Sequence, residues 1–343
     1  MIVRHPLELQ RFVDAEGNPQ DVEKSYVRDA FGEALAELGA RYEFVVLGAD
    51  LDKSTKTLKF RDRFGEFGKA PWGARGRWIS CGVSEAFLCA AAGGLAARGI
   101  KPVITTFARF LERGYEPLIQ AVAIPGFDAF VVGSHGGIAT GQDGSSAQAI
   151  EDLALFRALP DATVLCPADA HETRQAVFKA FDAKGIVYLR LSRNKLPHLF
   201  DESYEFELGA VVELLPGEGL TLVGTGETTY YALLAAARLR REGPHLRPRV
   251  LHAPTIRPLS AEALGQIAQD TDLFVTVEDH SPRGGLGDAV LEALSEAGTP
   301  RRVLKIGVDV YAESGTPAEL YRKYGLDAEG IARRVRERLE RGA

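Results

Sequence analysis

The sequence predicts an α/β fold of two doubly wound domains, each a mostly parallel sheet with helices on both faces. Apolar runs of strand length alternate with helical segments along the chain, which is typical of parallel sheets covered on both sides. The length of 343 residues is too great for one ordinary domain. Because apolar residues make up 45% and charged residues 26%, two sizeable cores are expected.

The first predicted domain spans residues 25–193 and follows an N-terminal arm at 1–24. Its first helix, at 25–39, leads into a strand that ends at Asp50. Residues 51–78 are charged and rich in glycine, without an apolar period, and we expect a long functional loop there. Strands and helices then alternate at 77–81, from Ser84, 101–106, 114–124, 128–135, 148–157, 162–167, 169–184 and 186–192.

A linker with a short strand pair is predicted at 194–218, and the second domain at 219–343. The second domain opens with Gly224, Thr225 and Gly226 at a strand-to-helix turn, where a dinucleotide fingerprint would also lie. Thr229 replaces the third glycine of that fingerprint, so a tight turn explains the glycines better. Its strands and helices are predicted at 220–226, 227–242, 247–253, 260–269, 272–279, 285–297, 303–308 and 327–341.

Charge and composition exclude several classes of function. The net charge is −6 and no run of lysine and arginine occurs, so neither nucleic acid nor an anionic membrane is expected as the main partner. The apolar runs are too short to span a bilayer, and the first residues lack the apolar core of a signal peptide. The three cysteines have no metal-ligand spacing, which indicates reduced thiols in a cytoplasmic protein.

Three segments of the first domain combine functional residue types at the ends of predicted strands. Glu85 opens the apolar helix AFLCAAAGGLAA, Phe107 and Phe110 lie in TTFARFLERGYEPLIQAVA at 105–123, and His135 begins HGGIATGQDGSSAQ at 135–148. Structural explanations stand beside the functional ones. A helix dipole favours an acid at its start, phenylalanine is mostly a core residue, and glycine serves turns.

The order and spacing of these segments resemble the pyrimidine-binding domain of thiamine-diphosphate enzymes, and most closely that of transketolase. TVEDHSPRGGLGDAV at 276–290 and VDVYAESGTPAELYRKYGL at 308–326 resemble the C-terminal domain of that family. The superfamily holds its metal with a G-D-G and a later asparagine segment, a pair that does not occur here. The chain therefore resembles the C-terminal part of a split, two-subunit transketolase.

This resemblance implies which residues serve the cofactor. Glu85 is the acid that activates thiamine diphosphate, Phe110 stacks on its pyrimidine ring, and Phe107 and Asp50 lie beside it. A carboxyl group shifts a proton on the ring most effectively in a dry pocket, and a helix start against an apolar wall supplies one. The metal, Mg²⁺, is expected on the partner subunit, and no metal ligand is expected on this chain.

The resemblance also implies a set of substrate contacts. Asp143 contacts a sugar hydroxyl, and His135 lies near the phosphate end of the acceptor. Arg28, Ser54 and Arg193 match phosphate contacts, and the planar fork of arginine suits phosphate oxygens. Each of these residues alone is also explained by a surface ion pair or a cap.

Three positions depart from the family pattern. Gln142 replaces a glutamate, Ala147 replaces a substrate-binding histidine, and Arg113 stands where an aromatic or small residue is common. The loss of the histidine removes one hydrogen-bond donor to the sugar, worth about 0.5–1.5 kcal/mol. The identity of the substrate is therefore left open.

The favoured interpretation is a subunit of a two-component transketolase that moves a two-carbon ketol unit from a ketose phosphate to an aldose phosphate. We expect two copies of the chain with two copies of an N-terminal subunit that carries the diphosphate-binding domain. One alternative is the β subunit of a 2-oxo-acid dehydrogenase type of enzyme. The others are a relative with a non-standard sugar or acyloin substrate, and a subunit that has lost activity.

Overall fold

The computed structural model describes residues 1–69, 76–243 and 245–341. Residues 70–75, which belong to the loop predicted at 51–78, lie outside the described residues. In the described ranges no helix is long and apolar enough to cross a membrane.

The strands alternate with helices along most of the chain, as predicted. The strands are β1 (Ile2–Arg4), β2 (Lys24–Tyr26), β3 (Val45–Gly48), β4 (Trp78–Ser80), β5 (Pro102–Phe107), β6 (Ala129–Ser134), β7 (Thr163–Leu165), β8 (Ile186–Leu191), β9 (Lys195–Pro197), β10 (Val211–Leu215), β11 (Gly219–Gly224), β12 (Arg249–His252), β13 (Thr255–Arg257), β14 (Thr271–Val277) and β15 (Arg302–Ile306).

The helices range from one turn to four turns. They are α1 (Val27–Leu38), α2 (Asp52–Thr55), α3 (Leu58–Phe64), α4 (Glu85–Ala96), α5 (Ala108–Leu111), α6 (Tyr115–Leu118), α7 (Asp152–Ala158), α8 (Ala170–Ala180), α9 (Thr228–Glu242), α10 (Ala261–Ile267), α11 (Leu286–Glu296), α12 (Pro317–Tyr324) and α13 (Ala328–Glu340). Short 3-10 segments occupy Leu9–Arg11, Glu112–Gly114, Ile138–Asp143 and Ala268–Asp270, and a π-helical segment occupies Ile119–Ala123.

The first sheet has the strand order β13-β7-β8-β6-β5-β3-β4, and every pair except β13 with β7 is parallel. Successive residues of its central strands enter different cores. Val103 and Val132 pack in one cluster, while Ile104 and Val131 pack in the other. Because side chains alternate across a strand, both faces of this sheet are buried, which explains the continuous apolar sequence of β5 and β6.

The second sheet has the order β1-β10-β12-β11-β14-β15, with only β10 and β12 antiparallel. Leu222 and Val275 face one cluster, and Val223 and Phe274 face another. Both sheets are thus mostly parallel with helices along them, and the predicted fold class is confirmed.

The segments predicted as arm and linker contain strands. In the arm, β1 extends the second sheet and β2 pairs with β9. In the linker, β9 and β10 do not pair with each other, since β10 joins β12 of the second sheet. In the other direction, β13 reaches from the second domain to the edge of the first sheet. Short pairings such as these depend on distant residues, which local periodicity does not reveal.

Residues 51–78 are not one irregular loop, because α2 and α3 lie within them. Phe60 of α3 is fully buried and stacks on Phe44 with ring centroids 5.1 Å apart. Elsewhere, helical structure begins at Ala108, before the predicted start at 114, and α7 begins at Asp152, after the predicted start at 148. The helix α12, which opens with a capping box from Thr316 to Glu319, was not predicted.

A buried ion pair lies where the two domains meet. Arg190 of β8 donates through Nε to Oδ2 of Asp152 at 2.8 Å, and both side chains are buried. Arg190 also donates to the backbone oxygen of Asp279, in the second domain, at 2.7 Å. The hydroxyl of Tyr188 donates to the same carboxylate oxygen of Asp152 at 2.7 Å. The arginine therefore satisfies an acid of its own domain and a carbonyl of the other.

Arg190→Met is expected to lower the free energy of unfolding by about 3–5 kcal/mol, because it leaves the buried carboxyl of Asp152 without its cation. Urea denaturation followed by circular dichroism measures this change. Lys184→Met is the control, since Lys184 pairs with Asp128 while 89% exposed, and a loss of at most about 1 kcal/mol is expected. Equal losses in the two variants would show that the buried ion pair stabilises the fold no more than the exposed one.

Candidate active site

The carboxyl ends of β3, β4, β5, β6 and β8 lie along one edge of the first sheet. Phe107 at the end of β5 pairs with Ser134 at the end of β6, which in turn pairs with Leu191 at the end of β8. Ligands of parallel α/β sheets bind at this edge. Five of the predicted site residues lie at or shortly after these strand ends: Asp50, Glu85, Phe107, His135 and Arg193.

Glu85 is the first residue of α4, and a sharp turn after β4 puts it there. Gly82 has φ of 65°, a left-handed conformation that glycine adopts without strain. The Glu85 side chain is buried, with 5% of it exposed, although acids are rarely buried without a partner. Its neighbour is Arg113, whose Nη1 lies 3.7 Å from Oε2 of Glu85. The carboxylate of Glu85 is therefore shielded from solvent and lies next to the cation of Arg113.

An aromatic row continues from this acid. The guanidinium of Arg113 lies over the ring of Phe110, 5.2 Å from its centroid. The ring of Phe110 is nearly parallel to that of Phe107, with centroids 5.5 Å apart. Phe107 in turn stacks on the imidazole of His135 at 3.7 Å. The structure thus joins Glu85, through Arg113, to both phenylalanines and His135 in one continuous row of contacts.

His135 is held in one orientation and one charge state. Its backbone has φ of 60°, its carbonyl accepts from the Thr140 hydroxyl at 2.7 Å, and its Nδ1 lies 2.8 Å from the Ser134 hydroxyl. Burial of the imidazole, together with the positive charges of Arg28 and Arg193, lowers its pKa to about 3. The ring is therefore neutral at physiological pH.

The predicted phosphate contacts meet near His135, because Arg28 and Arg193 both act on its charge. Arg28 donates to the backbone oxygen of Ser54 at 2.6 Å and to that of Arg193 at 3.2 Å. Arg193 lies 3.8 Å from the exposed carboxylate of Asp143. The contact with Ser54 uses its carbonyl and leaves the hydroxyl out. Two arginines and one acid leave a net positive charge, which attracts an anion.

Asp50 lies apart from these contacts. It follows β3 in a left-handed conformation, with φ of 58°, and it is exposed. Among the residues that the structure describes, no hydrogen bond or ion pair joins it to Glu85, Phe110 or Arg28. Its position at the same sheet edge is all that links it to the site.

Two residues that depart from the family pattern, Gln142 and Ala147, lie in the loop that begins at His135. Gln142 accepts from Arg193 through Oε1 at 3.1 Å, so a neutral oxygen satisfies one hydrogen-bond donor of the guanidinium. Arg193 also donates to the carbonyl of Thr140. Ala147 is buried, with 7% of it exposed. The next residue, Gln148, donates to the carbonyl of Glu313 at 3.2 Å, which ties the loop to the second domain.

Sequence reasoning missed several residues that shape the site. The Thr140 hydroxyl donates to the His135 carbonyl, and the Thr140 carbonyl accepts from Arg193. Asp279 and Glu227 reach the site from the second domain. In the sequence, the segment TVEDH, which contains Asp279, indicates only the family. Arg113 is in the sequence only a departure from the family pattern, because its contact with Glu85 requires two helical segments to meet in space.

The turn at Gly224, Thr225 and Gly226 follows β11 as predicted. The amide of Gly226 donates to the carbonyl of Cys166 at 3.0 Å, so the turn packs against the first domain. Among the described residues, no group of three or more His, Cys, Asp or Glu side chains is arranged to hold a metal ion.

Two family models match the chain. The model described as transketolase, pyrimidine binding domain, matches residues 23–198, and the model described as transketolase, C-terminal domain, matches residues 209–331. The chain belongs to the transketolase family. The family resemblance and the fold predicted from the sequence are therefore confirmed.

Individual members of the transketolase family are also similar to this chain over most of its length. A protein of Methanocaldococcus jannaschii named "putative transketolase C-terminal section" is 37% identical over 92% of the chain and 96% of its own length. Homo sapiens transketolase is 35% identical over 92% of the chain. The chain spans only 49% of the human protein.

Solved structures of the transketolase family have the same fold. A split-gene transketolase, solved as an inactive β4 tetramer, superposes with a TM-score of 0.79 at 38% identity. The superposition covers 92% of this chain and 98% of the other. A transketolase of Campylobacter jejuni superposes with a TM-score of 0.76 at 23% identity, over 96% of the chain and 50% of that structure. The second likeness supports the fold.

We expect the His135 imidazole to remain neutral from about pH 8 to about pH 4, because its folded pKa is about 3. The unfolded chain takes up this proton near pH 6.5, so this residue lowers stability progressively as the pH falls from about 6.5 to 3. Histidine NMR resonances measure the titration. His135→Gln should reduce the loss of stability between pH 7 and pH 4. A His135 resonance that titrates near 6.5 in the folded chain would contradict the assignment.

Proposed function

We propose that this chain is one subunit of a two-component, thiamine-diphosphate-dependent transketolase that moves a two-carbon ketol unit from a ketose phosphate to an aldose phosphate. The observation that carries the proposal is the buried carboxylate of Glu85 at the start of α4, which Arg113 links to the ring of Phe110. The likeness to the C-terminal section of a transketolase over 92% of the chain supports it.

The residues of the site fit the pyrimidine part of the cofactor. Glu85 offers a buried carboxylate, Phe110 a half-buried aromatic face, and Phe107 a ring packed behind it. A planar aromatic heterocycle with ring nitrogens needs these two partners, a face for stacking and a carboxyl group for a hydrogen bond. Glu85, Phe107 and Phe110 would hold it, with Asp50 at the sheet edge. When bound, thiamine diphosphate supplies the carbon nucleophile that takes up the two-carbon unit.

The role of Glu85 in this proposal is to hold a proton at a ring nitrogen. Its burial strengthens the hydrogen bond, because few waters compete in a site of low dielectric. Arg113 pairs with the carboxylate in the chain by itself, but 65% of the Arg113 side chain is exposed. It can therefore leave the carboxylate without unpacking the core.

The arginine pair supports a phosphorylated substrate. The Arg28 guanidinium donates to the backbone carbonyl of Arg193, and burial together with the positive charge of Arg193 lowers the pKa of Arg28. Both charges also act on the neutral His135. Because like charges repel, an anion that binds both arginines is stabilising. In this proposal the arginines bind the phosphate, His135 lies near the phosphate end of the acceptor, and Asp143 contacts a sugar hydroxyl. The same arginine pair disfavours the β subunit of a 2-oxo-acid dehydrogenase type of enzyme, because the substrate of such an enzyme carries no phosphate.

A second candidate is a related reaction on a non-standard sugar or an acyloin. Ala147 favours it, because the methyl group offers no hydrogen bond where a histidine was expected. A relative from Aquifex aeolicus named "1-deoxy-D-xylulose-5-phosphate synthase" is 32% identical over 91% of the chain. Its name supports a range of reactions within related chains. Assays with several ketoses and 2-oxo acids separate the two candidates.

The partner in this proposal is an N-terminal subunit that binds the diphosphate and Mg²⁺ and assembles with the chain as α2β2 in the cytoplasm. The outer face of α4 supports a partner surface beside Glu85. Phe87 on this helix is 57% exposed, and Val83 just before it is 73% exposed. Exposed apolar side chains grouped in this way are typical of protein interfaces.

Glu85→Gln tests the proposed chemistry in the complex with an N-terminal transketolase subunit. Turnover of ketol transfer should fall by a factor on the order of 10² or more, because the amide cannot move the proton. The circular dichroism spectrum should be unchanged. Glu116→Gln, an exposed acid on α6, is the control and should keep its activity. If the Glu85 variant retains activity within a few-fold, the acid has no part in the reaction.

Phe87→Glu is expected to weaken the complex with that N-terminal subunit by a factor of about 10 or more, because a charge would be buried at the centre of the interface. Sedimentation velocity measures the assembly. Leu291→Glu is the control, since Leu291 is 39% exposed on α11 of the second domain, and its complex should form normally. Unchanged assembly of the Phe87 variant would move the interface to another surface.

A further inference from the structure

We propose that two carboxylates of the second domain, Asp279 and Glu227, are positioning residues for the phosphate site of the first domain. Together we call them the domain clamp. Asp279 holds the beginning of the loop 135–148, and Glu227 holds the segment that carries Arg193. The inference rests on the proposed function for its catalytic consequence, and on geometry alone for its structural one.

Asp279 follows β14 and is buried, with 4% of it exposed. Its Oδ1 accepts from the amide of Ile138 at 2.9 Å, and its Oδ2 accepts from the amide of Ala139 at 3.2 Å. The hydroxyl of Tyr321 on α12 donates to Oδ2 at 2.9 Å. Three donors thus satisfy one buried carboxylate, and two of them are loop amides.

The sequence of the loop is adapted to this contact. Gly137 has φ of 80°, and a Cβ atom there would lie 2.0 Å from Oδ2 of Asp279. Only glycine lets the loop come this close to the carboxylate. Farther along, a Cβ atom on Gly141 would lie 3.2 Å from the carbonyl oxygen of Gly315, so the loop also lies against the segment before α12.

Glu227 holds the residues on each side of Arg193. Its Oε2 accepts from the hydroxyl of Ser192 at 2.6 Å, and its Oε1 accepts from Nδ2 of Asn194 at 2.8 Å. The Ser192 hydroxyl also accepts from the amide of Asn194 at 3.2 Å. Since Glu227 directly precedes α9, a helix of the second domain fixes the backbone from which Arg193 extends.

The two held segments meet at the guanidinium of Arg193. This group donates to the carbonyl of Thr140 and to Oε1 of Gln142, both in the loop. The second domain therefore fixes the backbone on each side of Arg193 through Glu227. It fixes the loop that contacts the guanidinium of Arg193 through Asp279. A guanidinium binds phosphate best in one geometry, and loops without such contacts open easily. The second domain thereby sets the geometry in which Arg193 binds the phosphate.

General adhesion between the domains is the competing explanation. Glu172 provides a matched control, because it is also a buried acid with contacts across the two domains. It accepts from His252 of the second domain at 2.8 Å, from the Tyr204 hydroxyl at 2.6 Å and from the amide of Ala168 at 2.7 Å. Its contacts lie outside the loop 135–148.

Hydrogen exchange of the full chain tests the structural part. Asp279→Asn should speed exchange of the Ile138 and Ala139 amides about tenfold or more, because one of the two would face an NH₂ group. Tyr321→Phe removes one donor to the carboxylate and should speed exchange of the same amides by a smaller factor. It replaces the first variant if that variant folds poorly. Glu172→Gln should leave these amides within twofold of the parent. Equal acceleration in Asp279→Asn and Glu172→Gln would overturn the clamp.

The catalytic part is tested in the complex with an N-terminal transketolase subunit. Glu227→Ala and Asp279→Asn should raise KM for a ketose phosphate at least fivefold, while kcat stays within about twofold, because Glu85 lies outside the clamp. Glu172→Gln should change neither constant beyond twofold. A fall in kcat without a change in KM would overturn the inference. If the parent complex transfers no ketol unit, the proposed function fails, and the exchange test still decides the clamp.

Discussion

Arg190 is a buried cation whose partners come from both domains, and much of the structure depends on it. It lies at the end of β8, two residues before Ser192 and three before Arg193. Its ion pair with Asp152 compensates the charge inside the first domain, and its hydrogen bond to the Asp279 carbonyl holds the second domain against it. Since a buried guanidinium needs nearly all its donors satisfied, the domains can meet in few other ways.

That constraint brings two kinds of chemistry to one sheet edge. On one side, Glu85 lies in an aromatic and apolar setting suited to a heterocycle. On the other side, Arg28 and Arg193 form a cationic corner suited to a phosphate. The neutral imidazole of His135 lies between the two, stacked on Phe107 and polarised by the arginines. The separation of an apolar cofactor side from a charged substrate side follows from which strand ends supply each residue.

The outer parts of the fold were the hardest to predict. Most of the longer helices and the central strands follow from the apolar pattern of the sequence. By contrast, β1, β2, β9 and β13 are three-residue strands whose pairing partners are far away in the chain. The sequence predicts a loop at α3, because the burial of this helix rests on Phe60 within a charged segment. In these cases the tertiary environment outweighs local propensity.

By itself, the sequence determined the fold class, the family, and the residue types at the site, because an acid, two phenylalanines and a glycine-rich loop recur in a recognisable order. The tertiary structure alone decided which of these residues touch. It separated Asp50 from the others, brought Arg113 onto Glu85, and used the Ser54 carbonyl in place of its hydroxyl. It also brought Asp279 and Glu227 to the site from another domain. Such contacts join residues many positions apart, and only the packing of the two sheets sets their distances.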